Sequence, residues 1–201
     1  MLRIVFATKN NGKLREAREL LSPIGVELLS TGDYRNIPEI VEDGAIFAEN
    51  ALKKAKAIAA TTGELTLADD SGLMVDFLGG APGVFSARYA GAEANDASNM
   101  EKVLAALRNV PITQRGARFV CSLALYRQGE MPLFFEGSLE GIIHGEKAGQ
   151  EGFGYDPIFY LPTRGCTVAE LSLDEKNKIS HRAVAFEKLK RYLTSGRSAA
   201  W

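Results

Sequence analysis

LADDSGLMVDFLGGAPGVFSARYAG, residues 67–91, is the most informative stretch of this chain. The apolar run 65–68 comes after Gly63-Glu64 and predicts a buried strand. Asp69 and Asp70 are expected where that strand ends, and Ser71-Gly72 then predicts a turn. Strand ends that run into Gly-containing turns are favoured places for chemistry in α/β proteins. The stretch therefore predicts an α/β fold with functional carboxylates at one strand end.

The adjacent carboxylates of Asp69 and Asp70 allow two interpretations. Like charges side by side are costly unless a cation offsets them, and Mg²⁺ prefers carboxylate oxygens. Asp-Asp-Ser-Gly is equally good chemistry for a turn exposed to water. This stretch alone favours neither a magnesium site nor a solvated turn.

The N-terminal segment predicts a βαβ unit. Residues 2–7 form an apolar run typical of a buried strand, and residues 26–29 predict a second one. Between them, Leu14, Ala17, Leu20 and Leu21 fall on one face of a helix. The order predicts a parallel pair of strands with a right-handed crossover.

The polar loop 8–13 of this unit is a candidate phosphate site. A helix N-terminus offers unpaired N–H groups and a positive dipole end, Gly12 permits close approach, and Lys13 adds charge. The loop is not a Walker A motif. The competing interpretation is an Asn-Gly turn with a solvated lysine.

Further elements follow from the same patterns. We expect a helix over residues 45–61, with Lys53, Lys54 and Lys56 on its solvated faces, and another over 95–107. Strands 119–126 and 133–144 suit an antiparallel hairpin. A last helix should begin after Ser180.

Two segments in the last third could meet a ligand. Phe153 and Tyr155 lie in the Gly-rich loop 145–157, where an aromatic ring either stacks on a base or anchors the loop to the core. Lys176, His181 and Arg182 are basic, and the last two fall in a first helical turn, where cations oppose the dipole. A bound anion would offset them; otherwise the turn is exposed to water.

Composition excludes several classes of protein. The chain has 201 residues, 46% of them hydrophobic, which suits one large domain or two small lobes. Its net charge of −1 argues against a general nucleic-acid binder. Two widely spaced cysteines predict buried thiols in a reducing compartment. With no signal peptide or membrane span expected, a cytoplasmic protein is predicted.

Five ordered segments resemble the house-cleaning nucleoside triphosphate pyrophosphatases of the Ham1 or inosine triphosphatase type. They are ATKNNGK (7–13), EDGAIFAENALKKA (42–55), the stretch 67–91, GFGYDPIF (152–159) and EKNKISHRAVA (175–185). The resemblance implies hydrolysis of ITP, dITP and XTP or dXTP to the monophosphate and pyrophosphate, which cleanses the nucleotide pool.

The family resemblance also implies an architecture. It is an α/β fold whose elongated mixed β-sheet and flanking helices form two lobes around a central cleft. Residues 1–195 would be a single pyrophosphatase domain and residues 196–201 a flexible tail. A homodimer that requires Mg²⁺ and binds neither nucleic acid stably nor a membrane is expected.

Site residues follow from the same resemblance. Thr8, Asn10 and Lys13 match the family pattern T/S-x-N-x-x-K. Many bacterial members have two glutamates before Thr-Gly; here the sequence is Val41, Glu42, Asp43, Gly44, and the metal role passes to Glu42. Asp70 would be the proton acceptor and second metal ligand, with Asp69 beside it as a catalytic residue. The residues expected to contact substrate are Thr8, Lys9, Asn10, Asn11, Gly12, Lys13, Lys53, Ser71, Phe153, Gly154, Tyr155, Asp156, Lys176, His181 and Arg182.

Other classes of protein remain as alternatives. A Maf-like pyrophosphatase would share the phosphate chemistry but prefer pyrimidine or modified nucleotides. A non-catalytic nucleotide- or RNA-binding module would need a basic face and no paired carboxylates. A HAD-type phosphatase is disfavoured, because no D-x-D-x-[TV] motif follows an early strand.

Overall fold

The structure is a computed structural model that describes residues 2–195. Strands and helices alternate in its first third, and the longest strands lie in the middle of the chain. The strands are β1 (Arg3–Phe6), β2 (Glu27–Ser30), β3 (Thr66–Val75), β4 (Gly116–Tyr126), β5 (Leu133–Ile143), β6 (Phe159–Leu161) and β7 (Cys166–Thr167). The α-helices are α1 (Asn11–Leu21), α2 (Phe47–Thr62), α3 (Asp96–Ala106), α4 (Leu173–Ile179) and α5 (His181–Thr194).

The strands form one mixed seven-stranded sheet in the order β2-β1-β3-β4-β5-β6-β7. β1 is parallel to both β2 and β3, whereas β6 is antiparallel to both β5 and β7. The predicted βαβ opening and the α/β class with a mixed sheet are confirmed. β4 and β5 are neighbours joined by residues 127–132, a connection too short for a parallel crossover.

β3 corrects the prediction that the strand ends before Asp69. It continues through Asp69, Asp70, Ser71 and Gly72 to Val75, and the chain turns only in the 3-10 helix Asp76–Leu78. The turn preference of Asp-Asp-Ser-Gly is overridden because both carboxylates meet cations in the folded chain. The solvated-turn interpretation is therefore wrong.

Alternation over residues 65–68, at the start of β3, sends side chains into two separate cores. Leu65 and Leu67 pack with apolar residues of α1 and α5. Ala68 packs on the other face, with Ala51 and Ala55 of α2. Asp69 and Asp70 continue this alternation, so they point to opposite faces of the sheet. The sequence thus directs one carboxylate toward α1 and α5, and the other toward α2.

The chain divides into two compact units. The first unit contains residues up to Asp70, Cys121–Gly137 and residues from Arg182, and includes both cores described above. The second contains Ser71–Val120 and Ser138–His181, with its own core built around Leu73, Phe119 and Ile158. The predicted single domain over 1–195 stays a prediction, and the predicted tail 196–201 lies outside the described residues. Across residues 2–195, no helix is long and apolar enough to cross a membrane.

Candidate active site

The loop between β1 and α1 forms a capped helix N-terminus. Asn10 caps α1, and its Oδ1 accepts the Lys13 amide N–H at 3.0 Å. The Thr8 hydroxyl accepts the Asn10 amide N–H at 3.1 Å, and the Thr8 carbonyl accepts the Thr31 hydroxyl at 3.2 Å. The helix itself offers no acceptor for the amides of Asn11 and Gly12. With Lys9 and Asn11 exposed, this predicted segment has the geometry of an anion site.

Asp69 lies at the centre of a buried ionic network. Its side chain pairs with the Lys13 ammonium, and its Oδ2 accepts the Arg182 Nε–H at 3.1 Å. Arg182 also pairs with Glu16 of α1, and the Cys121 thiol lies 3.2 Å from Asp69 Oδ2. Both Asp69 and Arg182 are 1% exposed. The guanidinium predicted to read the base is therefore in contact with two carboxylates of its own chain.

This network determines the protonation of Asp69. Burial raises the pKa of Asp69, but Lys13 and Arg182 outweigh it and hold that pKa well below its usual range. Asp69 is therefore ionised at neutral pH. Its contacts support a role in shaping the site, and its predicted catalytic role stays a prediction.

Glu42 and Asp70 share a lysine. The Lys54 Nζ of α2 lies 2.6 Å from Glu42 Oε2 and 2.9 Å from Asp70 Oδ1, and Asn50 Nδ2 donates to Asp70 Oδ2 at 3.2 Å. Asp70 and Lys54 are 8% and 9% exposed. The two predicted metal ligands are thus brought together on one cation.

The two carboxylates differ in their affinity for a proton. Burial raises the pKa of Asp70; Lys54 opposes this shift and Glu42 adds to it. For Glu42 burial also raises the pKa, but Lys54 outweighs burial and lowers it. Asp70 is consequently the better proton acceptor of the pair.

The pair can be compared with the needs of Mg²⁺. Within residues 2–195, no three His, Cys, Asp or Glu side chains form a cluster able to hold a metal ion. Mg²⁺ keeps several waters and is commonly bound by one or two carboxylates together with substrate phosphates. Two carboxylates converging on a cation fit that kind of site.

Two predicted residues lie beside this pair without joining it. Lys53 pairs with Asp43, and both side chains are largely exposed, so the lysine is available at the surface. Ser71 follows Asp70 in β3 and is half-buried.

A second group of predicted residues comes together in the second unit. Lys176 Nζ donates to Asp156 Oδ2 at 2.6 Å and lies 4.5 Å from the centroid of the Phe153 ring. The same Asp156 oxygen accepts the Phe153 amide N–H at 2.9 Å. An aromatic ring with a cation on one face is a suitable platform for a flat ligand.

The neighbouring predicted residues are held by their own contacts. The Gly154 amide N–H donates to Asp96, and the buried Tyr155 hydroxyl donates to the Ser86 carbonyl. His181 is 5% exposed and stacks on Phe119 with ring centroids 4.9 Å apart. Of the two interpretations of Tyr155, the loop anchor is confirmed.

Sequence reasoning missed Lys54, Asn50, Glu16 and Cys121 as parts of the site. In α2, Asn50 and Lys54 lie on the stripe 47, 50, 51, 54, 55, 58, which is buried along its length. Polar residues on a helical stripe were the available signal for these two. Glu16 is 2% exposed although it lies outside the apolar face Leu14, Ala17, Leu20 and Leu21 that predicted the helix. Cys166 is partly exposed, so the prediction that both thiols are buried is wrong for this one.

This chain is similar to known proteins along nearly its whole length. The model of the Ham1 family matches residues 4–192. A dITP/XTP pyrophosphatase of Bacillus licheniformis is 51% identical over 189 residues, covering 94% of this chain and 96% of the relative. One from Yersinia pestis is 49% identical, covering 93% and 95%.

Solved structures match as well. A HAM1 protein from Coxiella burnetii superposes with a TM-score of 0.89 at 46% identity, covering 97% of this chain and all of that one. A dITP/XTP pyrophosphatase from Mycobacterium abscessus gives a TM-score of 0.76 at 42% identity, covering 94% and 97%. Given the extent of these matches, this chain belongs to the Ham1 family.

Proposed function

We propose that this chain hydrolyses non-standard purine nucleoside triphosphates, namely ITP, dITP, XTP and dXTP, to the monophosphate and pyrophosphate. One observation carries the proposal: Glu42 and Asp70 converge on a single cation, while Asp69, next to Asp70 in β3, binds Lys13 from the capped start of α1. A carboxylate pair and an anion-binding helix end are what a triphosphate and its counter-cation need. Relatives about half identical to this chain carry the name dITP/XTP pyrophosphatase, which supports the substrate class.

Magnesium is the proposed cofactor, held by Glu42 and Asp70. When bound, Mg²⁺ would offset the negative charge of the phosphates and make a nearby water more acidic. Lys54, which now lies between the two carboxylates, would then be free to contact phosphate oxygens.

The residues around Asp69 and Asp70 supply positioning and proton transfer. Amides at the start of α1 cradle phosphates, with Lys13 and Lys53 as further cations. Asp70 accepts the proton of the attacking water, because its pKa is raised by burial and it therefore binds a proton more readily than its neighbour Asp69. Attack on the α-phosphorus releases pyrophosphate.

A second group of residues recognises the base. Phe153 stacks on the purine, and Lys176 beneath its ring contacts base or phosphate. Hypoxanthine and xanthine carry an acceptor oxygen at position 6, where adenine carries a donor. Backbone amide donors near His181 can bond to the oxygen of hypoxanthine and xanthine. With adenine these donors would face another donor, a mismatch that a polar site rejects strongly.

A substrate panel tests the proposal. ITP, XTP, GTP, ATP and dUTP are incubated with Mg²⁺, and pyrophosphate and orthophosphate are measured separately. Pyrophosphate from ITP and XTP, with little from GTP and ATP, is the expected result. Orthophosphate as the first product would move attack to the terminal phosphate. Turnover of dUTP but of no purine would favour a Maf-like enzyme, and absence of turnover would favour a binding module.

A homodimer and a cytoplasmic location complete the proposal. The homodimer is implied by the family resemblance. The cytoplasmic location is supported by the thiols of Cys121 and Cys166, which are not in a disulfide and suit a reducing compartment. Light scattering that gives the mass of a single chain of 21.8 kDa would contradict the dimer.

A further inference from the structure

The loop 152–156 is preformed around Phe153. Gly152 and Gly154 adopt φ values of +77° and +65°, which favour glycine, and the Phe153 amide N–H is bonded to Asp156 Oδ2. A Cβ added at Gly152 would lie 2.1 Å from Asp156 Oδ2, so the turn leaves no room for another residue there. The backbone that carries the Phe153 ring is therefore held by contacts within the loop.

Two contacts tie this loop to another part of the second unit. The Tyr155 hydroxyl donates to the Ser86 carbonyl at 2.8 Å, and burial raises the pKa of Tyr155, so the donor proton is retained. The Gly154 amide N–H donates to Asp96 Oδ2 at 2.7 Å. The first contact is buried, whereas the second depends on an exposed carboxylate at the first position of α3.

The N-terminal part of α3 is itself rigidly held. Asn95 and Ser98 form a capping box at its start. One turn from Asp96, the buried Asn99 accepts the Ala90 amide N–H at 2.8 Å and donates to the Ala87 carbonyl at 3.1 Å. The backbone that carries Asp96 is thus held in place, with the Asp96 carboxylate opposite the amide that follows Phe153.

We propose that Asp96 is a positioning residue for base recognition: by holding the Gly154 amide, it fixes the Phe153 ring before the nucleotide arrives. This inference rests on the proposed function, because it assigns the Phe153 platform to the base. Asp96 does not touch the substrate. Without it, the loop must be ordered at the moment of binding, which weakens binding of the purine and leaves contacts to the phosphates unchanged.

The kinetic test compares Asp96→Ala with Asp96→Asn. Loss of a hydrogen bond to an exposed charged acceptor lies at the low end of the range for bonds to charged groups. It corresponds to about a tenfold rise in KM for ITP, with kcat little changed. Asp96→Asn keeps an acceptor oxygen and should restore most of the affinity. Inorganic tripolyphosphate, which has no base, should inhibit wild type and Asp96→Ala with equal Ki. Glu101→Ala, an exposed acid of α3 that pairs with Lys147, is the matched control and should behave as wild type.

Two further measurements separate positioning from general weakening. In a Phe153→Ala background, Asp96→Ala should cause no further rise in KM, because the ring to be positioned is gone. Hydrogen exchange at the Gly154 amide should accelerate in Asp96→Ala but not in Glu101→Ala, and this readout does not depend on any activity.

Each contrary result has a distinct meaning. An unchanged KM in Asp96→Ala overturns the inference, as does an equal rise in the Ki of tripolyphosphate. Equal impairment in Asp96→Asn would assign the effect to charge at the start of α3 and would also overturn it. Failure of the wild type to hydrolyse ITP would refute the proposed function instead, while faster exchange at Gly154 would still report the tether.

Discussion

Replacing Lys54 by methionine tests the cation between Glu42 and Asp70. Methionine preserves most of the apolar stem but removes the ammonium. Burial alone would lower the pKa of Lys54, yet Asp70 and Glu42 outweigh it and raise that pKa, so the wild-type lysine is charged. The variant leaves two carboxylates facing each other without a counter-charge.

The expected loss of stability follows from exposure. Breaking a buried ion pair by removing one partner costs about 3–5 kcal/mol. The side chains of Lys54 and Asp70 are each 11% exposed, but that of Glu42 is 35% exposed and partly screened by water. We therefore expect Lys54→Met to lower the free energy of unfolding by about 3 kcal/mol without metal.

Magnesium should restore part of this loss in the variant. A ligand at one hundred times its Kd stabilises the folded state by about 2.7 kcal/mol. In the wild type the gain is smaller, since Mg²⁺ must first displace Lys54 from the carboxylates.

Urea unfolding, with and without MgCl₂, measures both effects. Lys53→Met is the matched control, because Lys53 pairs with Asp43 at the surface, where an ion pair contributes about 0–1 kcal/mol. A metal-free Lys54→Met protein within 1 kcal/mol of the control would refute the argument from burial. Equal stabilisation of Lys54→Met and wild type by Mg²⁺ would show that lysine and metal do not compete.

Three other outcomes are expected. Asp70→Asn keeps the shape of the side chain but cannot accept a proton, so ITP turnover should be mostly lost; near wild-type turnover would remove Asp70 from this role. The pKa of Asp69 is depressed in the folded state, so its contribution to stability is present above the unfolded pKa of about 3.9 and is lost as pH falls through the folded value. Between pH 7 and pH 3, the free energy of unfolding measured in urea should fall less steeply in Asp69→Asn than in the wild type. Identical pH slopes in the two proteins would contradict this linkage. Gly149→Ala would place a Cβ 2.2 Å from the Ala169 carbonyl and would also strain the backbone, where φ is +78°. Gly129→Ala would strain the backbone at φ +87° without any such clash. Gly129→Ala should cost about 1–2 kcal/mol and Gly149→Ala clearly more, as measured by thermal unfolding; equal losses would exclude the clash.

Much of the fold could be predicted because its signals are local. The βαβ opening follows from apolar runs and a helical stripe, each readable within a dozen residues. The helix predicted over 95–107 is α3 with its caps, Asn95 and Leu107. In these elements the local preference of the sequence for helix or strand is the same as the secondary structure observed, so tertiary contacts do not change it.

The site was less predictable because its charges are balanced across long sequence separations. Arg182 pairs with Asp69 although the two residues are 113 positions apart in the chain, and the sequence around Asp69 does not indicate this partner. For the same reason β3 could not be extended through Asp-Asp-Ser-Gly, and Lys54 could not be told from a solvated lysine by composition. The sequence predicted that a bound anion would offset the cations at the start of α5, or else that this turn would be exposed to water. Burial of His181 and Arg182 shows that the exposed turn is wrong, which leaves the need for a negative charge. In the structure, Glu16 and Asp69 meet it for Arg182.

The opposite orientation of Asp69 and Asp70 in β3 also has a consequence for folding specificity. A slip of β3 by one residue against β1 would exchange the two environments, placing Asp69 toward α2 and Asp70 toward Arg182, and would turn Leu67 and Ala68 to the wrong cores. Each aspartate would lose cations matched to it, and apolar surface would be misplaced at the same time. The two aspartates therefore help to specify the register of β3. The charges that form the site also favour the observed alignment of this strand with β1 over alignments shifted by one residue.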